Sequence, residues 1–284
     1  MPELPEVETI CQQLDKVLSG KEIKKVSVLR EKSFMGNHDW LVGKVISSVG
    51  REAKMIVFEF EGENKRLVGH LKMTGQLIWR GKGKQAGGGH PSKDWVSKLP
   101  GKHTRVIVVF DDGSSLFFND MRVFGWLKIL EERKWEEELD RLPPDVIDKE
   151  FSNNYLGRIL SSSSRPVKLV IMDQTKMGGI GNIYANDALN LARIDPRRSA
   201  GSITKEEGTR LHKAIVEVID EGIRYKGASA SDEKFVDVSG IGGKYQDHFL
   251  VYERKGQKCF NCGGVIEKIT LGGRGTYYCP DCQK

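Results

Sequence analysis

The first eighteen residues place Val7, Ile10, Leu14 and Val17 at intervals of three and four. That is the spacing of one apolar helix face and predicts a helix over 3–18. From about 23 to 118 the period shortens. The runs "KKVSVLR", "KMIVFEF", "RLVGHLKM", "QLIW", "RVIVVF" and "SLFF" are separated by turn-forming stretches such as "EGEN" and "DDGS". Short apolar runs at this density predict an antiparallel sandwich or barrel. An acidic segment follows and closes on "LPPD", whose paired prolines break regular structure near 145–150. Beyond 151 the helical period returns in "NNYLGRILSSS", "RPVKLVIMD", "GNIYANDALNLA" and "TKEEGTRLHKAIVEVIDEGIRY", the last opened by a Thr204/Glu207 capping box. The stretch 236–249 is glycine-rich and reads as a loop. The fold class expected is therefore α+β and multidomain. An N-terminal helix and β-sandwich fill 1–132, an acidic linker 133–150, a helical domain 151–252 and a C-terminal ribbon 253–284.

At 284 residues the chain is long enough for two domains, each with its own core. It has no run of about 18 apolar residues, so no membrane span is expected. Acids and prolines stand at the N-terminus where a signal peptide needs a basic start and an apolar run, which makes a reducing, intracellular location the expectation. The net charge of +6 is unevenly spread. Segment 131–150 holds nine acids and four bases, a net of −5, so the remainder carries +11. Residues 80–105 carry seven Lys/Arg against one Asp, and 253–284 carry six against three acids. Basic charge gathered in this way suits a polyanion, although a charge run alone also fits a solvated face.

Four of five cysteines sit as Cys259-x2-Cys262 and Cys279-x2-Cys282, sixteen residues apart. Two such pairs present four thiolates to one tetrahedral Zn2+, and nothing else in the chain suggests the secreted context of disulfides. Closed four-thiolate coordination leaves no position for substrate, so the zinc is expected to be structural. Between the pairs, "TLGGRGTYY" reads as a hairpin whose turn presents Arg274. Cys11 reads as a small apolar residue of the first helix.

The start "MPELPEVET" remains. Proline and acids suit a helix's first turn, which accounts for Pro5 but leaves Pro2 without a reason. "PELPEVET", "GHLKMTG" (69–75), "GIGNIYANDAL" (179–189) and the terminal ribbon occur in that order. Together they resemble the bacterial formamidopyrimidine-DNA glycosylases, bifunctional enzymes that remove oxidised purines, over essentially the whole chain. The resemblance implies a role for Pro2. With Met1 removed, Pro2 is a secondary amine titrating near pH 8, far below lysine. Such an amine can attack the sugar C1′ and form an iminium, as in lysine Schiff-base chemistry. Glu3 is then the general acid/base. The family's lysine that reaches the phosphate beside the lesion matches Lys54, and Arg274 completes that catalytic set.

The same resemblance assigns the DNA contacts. His70 and Asn182 match phosphate-binding positions, Asn182 lying in the family's helix–two-turn–helix element. Glu6 joins this set as a second carboxylate that orients the first turn, while Glu8 is left on the solvated face. Met73, Arg122 and Phe124 match the residues that fill the gap left by the flipped base, with Arg122 facing the orphaned cytosine. For Met73 and Phe124, ordinary core packing is the alternative. The chain departs from the family at Lys72, where many members have glycine, and at Met121 and Val123, which replace a proline and an arginine. Its basic, glycine-rich loop 81–102 looks long.

The function expected is excision of 8-oxoguanine and formamidopyrimidines from duplex DNA, followed by β,δ-elimination. DNA would lie in a basic cleft between the domains, bound by a monomer in the bacterial cytoplasm. The rival readings are an endonuclease VIII-like enzyme for oxidised pyrimidines and a non-catalytic damaged-DNA binder. A zinc-ribbon scaffold without DNA is more distant.

Overall fold

Helix α1 (Leu4–Leu18) begins after Glu3, whose extended backbone makes it the N-cap, and Pro5 occupies the first turn. Val7, Ile10, Leu14 and Leu18 are buried along one face, as the spacing predicted. This computed structural model describes residues 2–90, 97–228, 236–237 (backbone only) and 243–284. The described residues form two compact units, Met1–Arg141 with Lys226–Lys244, and Leu142–Tyr225 with Tyr245–Lys284.

The first unit is the sandwich. Its strands are β1 (Ile23–Val28), β2 (Phe34–Met35), β3 (Ile46–Glu52), β4 (Met55–Phe60), β5 (Lys65–His70), β6 (Gly75–Gly81), β7 (Lys84–Gly89), β8 (Thr104–Phe110), β9 (Ser115–Asp120) and β10 (Trp126–Glu131), followed by helix α2 (Glu132–Leu139). One sheet has the order β1-β8-β9-β6-β7 and continues to a two-residue strand β11 (Val236–Asp237); the other runs β2-β10-β5-β4-β3. Their facing side chains make one core with α1: Leu77, Val106, Val108 and Phe118 from the first sheet, Ile56, Phe58, Leu67 and Leu127 from the second. Burying each such side chain is worth roughly 1.5–3 kcal/mol.

Three differences from the sequence expectations stand out here. Residues 84–89 of the predicted loop 81–102 are strand β7, hydrogen-bonded to β6 and packed on α1. The glycines that suggested a loop instead permit close approach. A Cβ on Gly87, whose φ is +115°, would lie 1.9 Å from the Leu77 carbonyl oxygen. Residues 91–96 of that stretch lie outside the described residues. The acidic linker is in part helix α2, which belongs to the first unit. Finally, Lys226–Lys244 also belongs to this unit, tied to it by Glu6 and by the pairing of β11 with β7. The residues 238–242 of the predicted loop 236–249 lie outside those described.

The second unit contains α3 (Asn153–Ser161), α4 (Val167–Ile171), α5 (Asn182–Leu191) and α6 (Lys205–Arg224), then the hairpin β12 (Glu267–Leu271) and β13 (Arg274–Tyr278). The predicted capping box starts α6: the Glu207 N–H donates to Thr204 Oγ1 and the Thr204 N–H to Glu207 Oε2. Helix α5 is buried from Asn182 to Asn190 on every side. A helix buried all round must pair its polar side chains, and it does so through an asparagine row at i, i+4 and i+8. Asn186 Oδ1 accepts the Tyr277 N–H at 2.7 Å. Asn190 donates to Gln283 Oε1 at 2.9 Å and accepts from Asn261 at 3.2 Å. The ribbon is thereby stitched to α5 along its length.

Candidate active site

Pro2 is half-buried at the head of α1, with Glu3 beside it at 2% exposure. The Glu3 N–H donates to Glu6 Oε2 at 2.8 Å, and Glu6 Oε1 accepts the Ala228 N–H at 2.7 Å. Both Glu6 oxygens are therefore engaged inside the fold, which corrects its place among the DNA contacts. It fixes the backbone next to Pro2 and ties it to the 226–228 segment. Gly227 is required there: its φ is +79°, and a Cβ would lie 2.8 Å from Glu6 Oε1.

Lys54 is buried in the two-residue connection between β3 and β4. Arg51 holds that connection, donating from Nε to Glu8 Oε2 at 2.9 Å and from Nη1 to the Ala53 carbonyl at 2.8 Å. Glu8 is thus not simply solvated; it anchors the turn that carries Lys54. His70 ends β5, and its Nδ1 accepts the Lys72 N–H at 3.0 Å. Burial, with the charges of Lys72 and Lys54, pushes its pKa down to about 3. The imidazole is neutral at pH 7, and with Nδ1 accepting, its proton sits on Nε2, free to donate to an anion.

Two loops carry the predicted wedge. Met73 follows β5 and is half-buried, whereas Phe124 is 50% exposed. Phe124 is therefore not core, and Arg122 stacks over its ring at 4.8 Å. The residue that joins the loops is Asp120, fully buried and not singled out by the sequence. Its carboxylate accepts the Thr74 hydroxyl, and the N–H groups of Arg122 (3.1 Å), Phe124 (2.8 Å) and Gly125 (2.6 Å). Thr74 Oγ1 in turn accepts the Arg122 N–H at 3.0 Å. The departures Lys72 and Val123 have φ of +50° and +56°. A β-branched residue in that region carries strain of about 1–3 kcal/mol.

In the second unit Asn182 opens α5 and is 7% exposed. Its Oδ1 accepts from the buried Lys168 Nζ at 2.8 Å, and the same ammonium donates to Thr276 Oγ1 at 2.8 Å and to the Gly275 carbonyl at 3.0 Å. Lys168 thus brings together Asn182 and the strand that Arg274 begins. Arg274 is exposed, following a Gly272–Gly273 turn in which both φ are positive. Hairpins of two residues favour such turns. The four cysteine sulfurs lie within 4.8 Å of one another, with Cys259–Cys282 at 3.8 Å and Cys262–Cys279 at 3.4 Å. A tetrahedral Zn2+ with Zn–S of about 2.3 Å needs sulfurs about 3.8 Å apart, so the set fits one structural zinc.

Along the chain, the family sequence pattern for the formamidopyrimidine-DNA glycosylase N-terminal domain matches residues 1–127, the pattern for its H2TH domain 142–234, and a zinc finger found in FPG and IleRS 256–284. The formamidopyrimidine-DNA glycosylase of Desulforamulus reducens is 37% identical over 100% of this chain and 99% of its own. The chain belongs to the formamidopyrimidine-DNA glycosylase family. The glycosylase of Streptococcus pneumoniae R6 is 32% identical at the same coverage. The Fpg (MutM) protein of Thermus thermophilus superposes with a TM-score of 0.84 at 35% identity, covering 99% of this chain and 98% of that one. Lactococcus lactis Fpg, solved with DNA containing an abasic site, gives 0.86 at 28% identity with both chains fully covered. Membership of this family makes the chain a DNA glycosylase of base-excision repair with AP lyase activity.

Proposed function

We propose that Pro2, exposed as the N-terminal amine once Met1 is removed, is the nucleophile of this glycosylase, with Glu3 as its acid/base partner. Met1 itself lies outside the described residues. The observation that carries the reading is the Glu6 clamp, which holds the Glu3 N–H and thereby the peptide that bears Pro2.

The Pro2 nitrogen lone pair forms N–C1′ while the C1′–N9 bond breaks, its electrons leaving with the base, which takes up a proton. The nitrogen loses its proton, Glu3 protonates O4′, and the sugar ring opens to a C1′=N+ iminium. The iminium acidifies C2′–H. Loss of that proton expels the 3′ phosphate, and a second elimination expels the 5′ phosphate. Water then hydrolyses the iminium, releasing the aldehyde and a proton and restoring the amine.

Lys54, the His70 Nε2–H, Asn182 and Arg274 serve as phosphate donors, which position the strand without reading bases. Met73, Arg122 and Phe124 occupy the space of the flipped nucleotide. The partner is damaged duplex DNA, as in the Lactococcus lactis complexes, met by a single chain in the bacterial cytoplasm. No helix among the described residues is long and apolar enough to cross a membrane.

Borohydride trapping on an 8-oxoguanine:cytosine duplex, with the adduct mapped by peptide mass spectrometry, tests the mechanism. An adduct at Pro2 that Pro2→Gly abolishes is the expected result. A chain lacking Met1 that gives no adduct, even with an abasic-site duplex, leaves only a damaged-DNA binder.

A further inference from the structure

Beside the wedge, within the first unit, lies a cavity of about 380 Å3 to which the excision chemistry assigns no role. Lys32, Met35, Lys72, Met73, Phe124 and Trp126 line it. Its floor is the edge of the second sheet. There β2 pairs in parallel with β10, Phe34 opposite Leu127, and β10 pairs with β5, Trp126 opposite His70. Met35 stands on that edge and is 40% exposed. Its wall is the wedge itself, since Met73 and Phe124 come from the two loops that Asp120 and Thr74 hold together. At its rim Lys72 leaves a backbone fixed by the bond to His70 Nδ1, and Lys32 is exposed just before β2. No acidic side chain is among the described residues that line it.

We propose that this cavity binds one nucleotide of the undamaged strand, its base against Met35, Phe124 and Trp126 and its phosphate between Lys32 and Lys72. The inference rests on the reading of Met73 and Phe124 as the wedge. Aromatic and thioether surfaces accept the face of any base, and two ammonium groups without a carboxylate select an anion. The volume is that of a small-ligand pocket. A wedge that opens the stack creates an unstacked nucleotide at its own flank. Arg122, assigned to the orphaned cytosine of the other strand, stacks over the lining residue Phe124 at 4.8 Å, which is why the nucleotide is assigned to that strand.

The test is a double-mutant cycle between protein and DNA. Duplexes carry an uncleavable abasic-site analogue, and the undamaged strand carries a second base-less residue opposite it or at either neighbouring position. At one of these positions, deleting the base weakens binding of the otherwise unaltered protein about tenfold, the scale of one stacked base. In Met35→Ala the same deletion costs markedly less. Lys32→Ala lowers the slope of log affinity against log salt by about one. Both residues are exposed, so neither substitution threatens the fold. Equal losses in both proteins at all three positions overturn the proposal, as does an unchanged slope in Lys32→Ala. Phe124→Ala on the same duplexes separates the two failures. If it binds normally the wedge reading falls and the cavity proposal with it; if it binds poorly while the cycle is flat, only the cavity proposal falls.

Discussion

Replacing Lys168 by methionine keeps most of the buried stem and removes the ammonium, and with it three donors. Asn182 Oδ1, Thr276 Oγ1 and the Gly275 carbonyl lose a partner at 2.8, 2.8 and 3.0 Å respectively. An acceptor left unsatisfied in a buried site costs about 1–3 kcal/mol. Water reaches such a site poorly but not never, so the two side-chain acceptors together set a loss of roughly 3–4 kcal/mol in the second unit. For a unit of this size that lowers the melting temperature by roughly 10 °C. Calorimetry of the zinc-loaded protein reads the stability loss. Binding of abasic-site duplex reads the functional one through a cycle with Asn182→Ala. Because Lys168 aligns the Asn182 amide, Asn182→Ala should weaken binding in the native background and have little further effect beside Lys168→Met. A Lys168→Met protein that melts within about 2 °C of the native one contradicts the energetic argument. An Asn182→Ala penalty of equal size in both backgrounds contradicts the positioning argument.

Three further outcomes follow from the geometry. Asp120→Asn replaces an acceptor oxygen by a donor amide among four inward-pointing donors. It should cost about 2–3 kcal/mol in thermal melts and slow single-turnover excision; native-like values in both would remove Asp120 from the wedge. His70 should show no NMR titration between about pH 5 and 8, because burial holds its pKa at about 3. Below pH 6.5 the unfolded chain binds a proton that the folded site refuses. Its contribution to stability is therefore complete above pH 6.5 and is lost as pH falls, by at most about 1.4 kcal/mol per pH unit; titration near pH 6.5 would contradict this. Cys279→Ser should lose zinc by elemental analysis and weaken duplex binding together, since the ribbon carries Arg274 and two of the Lys168 acceptors. Undiminished affinity in the zinc-free protein would separate the ribbon from the clamp.

Helix α1, the strands from β4 to β6, β8, β9 and the helices of the second unit were legible because their apolar period matches the structure they form. Strand β3, "ISSVGRE", was not: it buries only Ile46 and Val49, so its pattern is mostly polar. Strand β7 was hidden by glycines that packing against β6 and α1 demands and that local propensity assigns to loops. The site shows the same division. Residues inside short contiguous motifs, such as Pro2, His70 and Asn182, could be named from the chain. Lys168 could not, since its partner Thr276 is 108 positions away, and Glu8 reaches Arg51 across 43. One signal was available: Asn182, Asn186 and Asn190 form a polar row at helical spacing in an otherwise apolar helix. Such a row has to face a polar partner.

These hidden partners share a physical task. Each occupies the inward half of a side chain's hydrogen-bonding capacity and so determines what the outward half offers. Lysine only donates, so the atom of Asn182 that meets Lys168 must be the oxygen, leaving the amide N–H groups for an acceptor. The Lys72 N–H occupies Nδ1 of His70, leaving Nε2–H as a donor. Glu6 accepts the Glu3 N–H and so orients the peptide that joins Pro2 to Glu3. On the proposed reading, the group assigned to DNA is in each case oriented before DNA arrives, so little reorganisation is needed when the phosphate binds. The corollary concerns which substitutions are damaging. A variant at a buried partner such as Lys168 or Asp120 should resemble loss of the residue it orients, with an added cost in stability. A variant at an exposed residue such as Phe124 or Arg274 should impair DNA handling and leave the melting temperature unchanged.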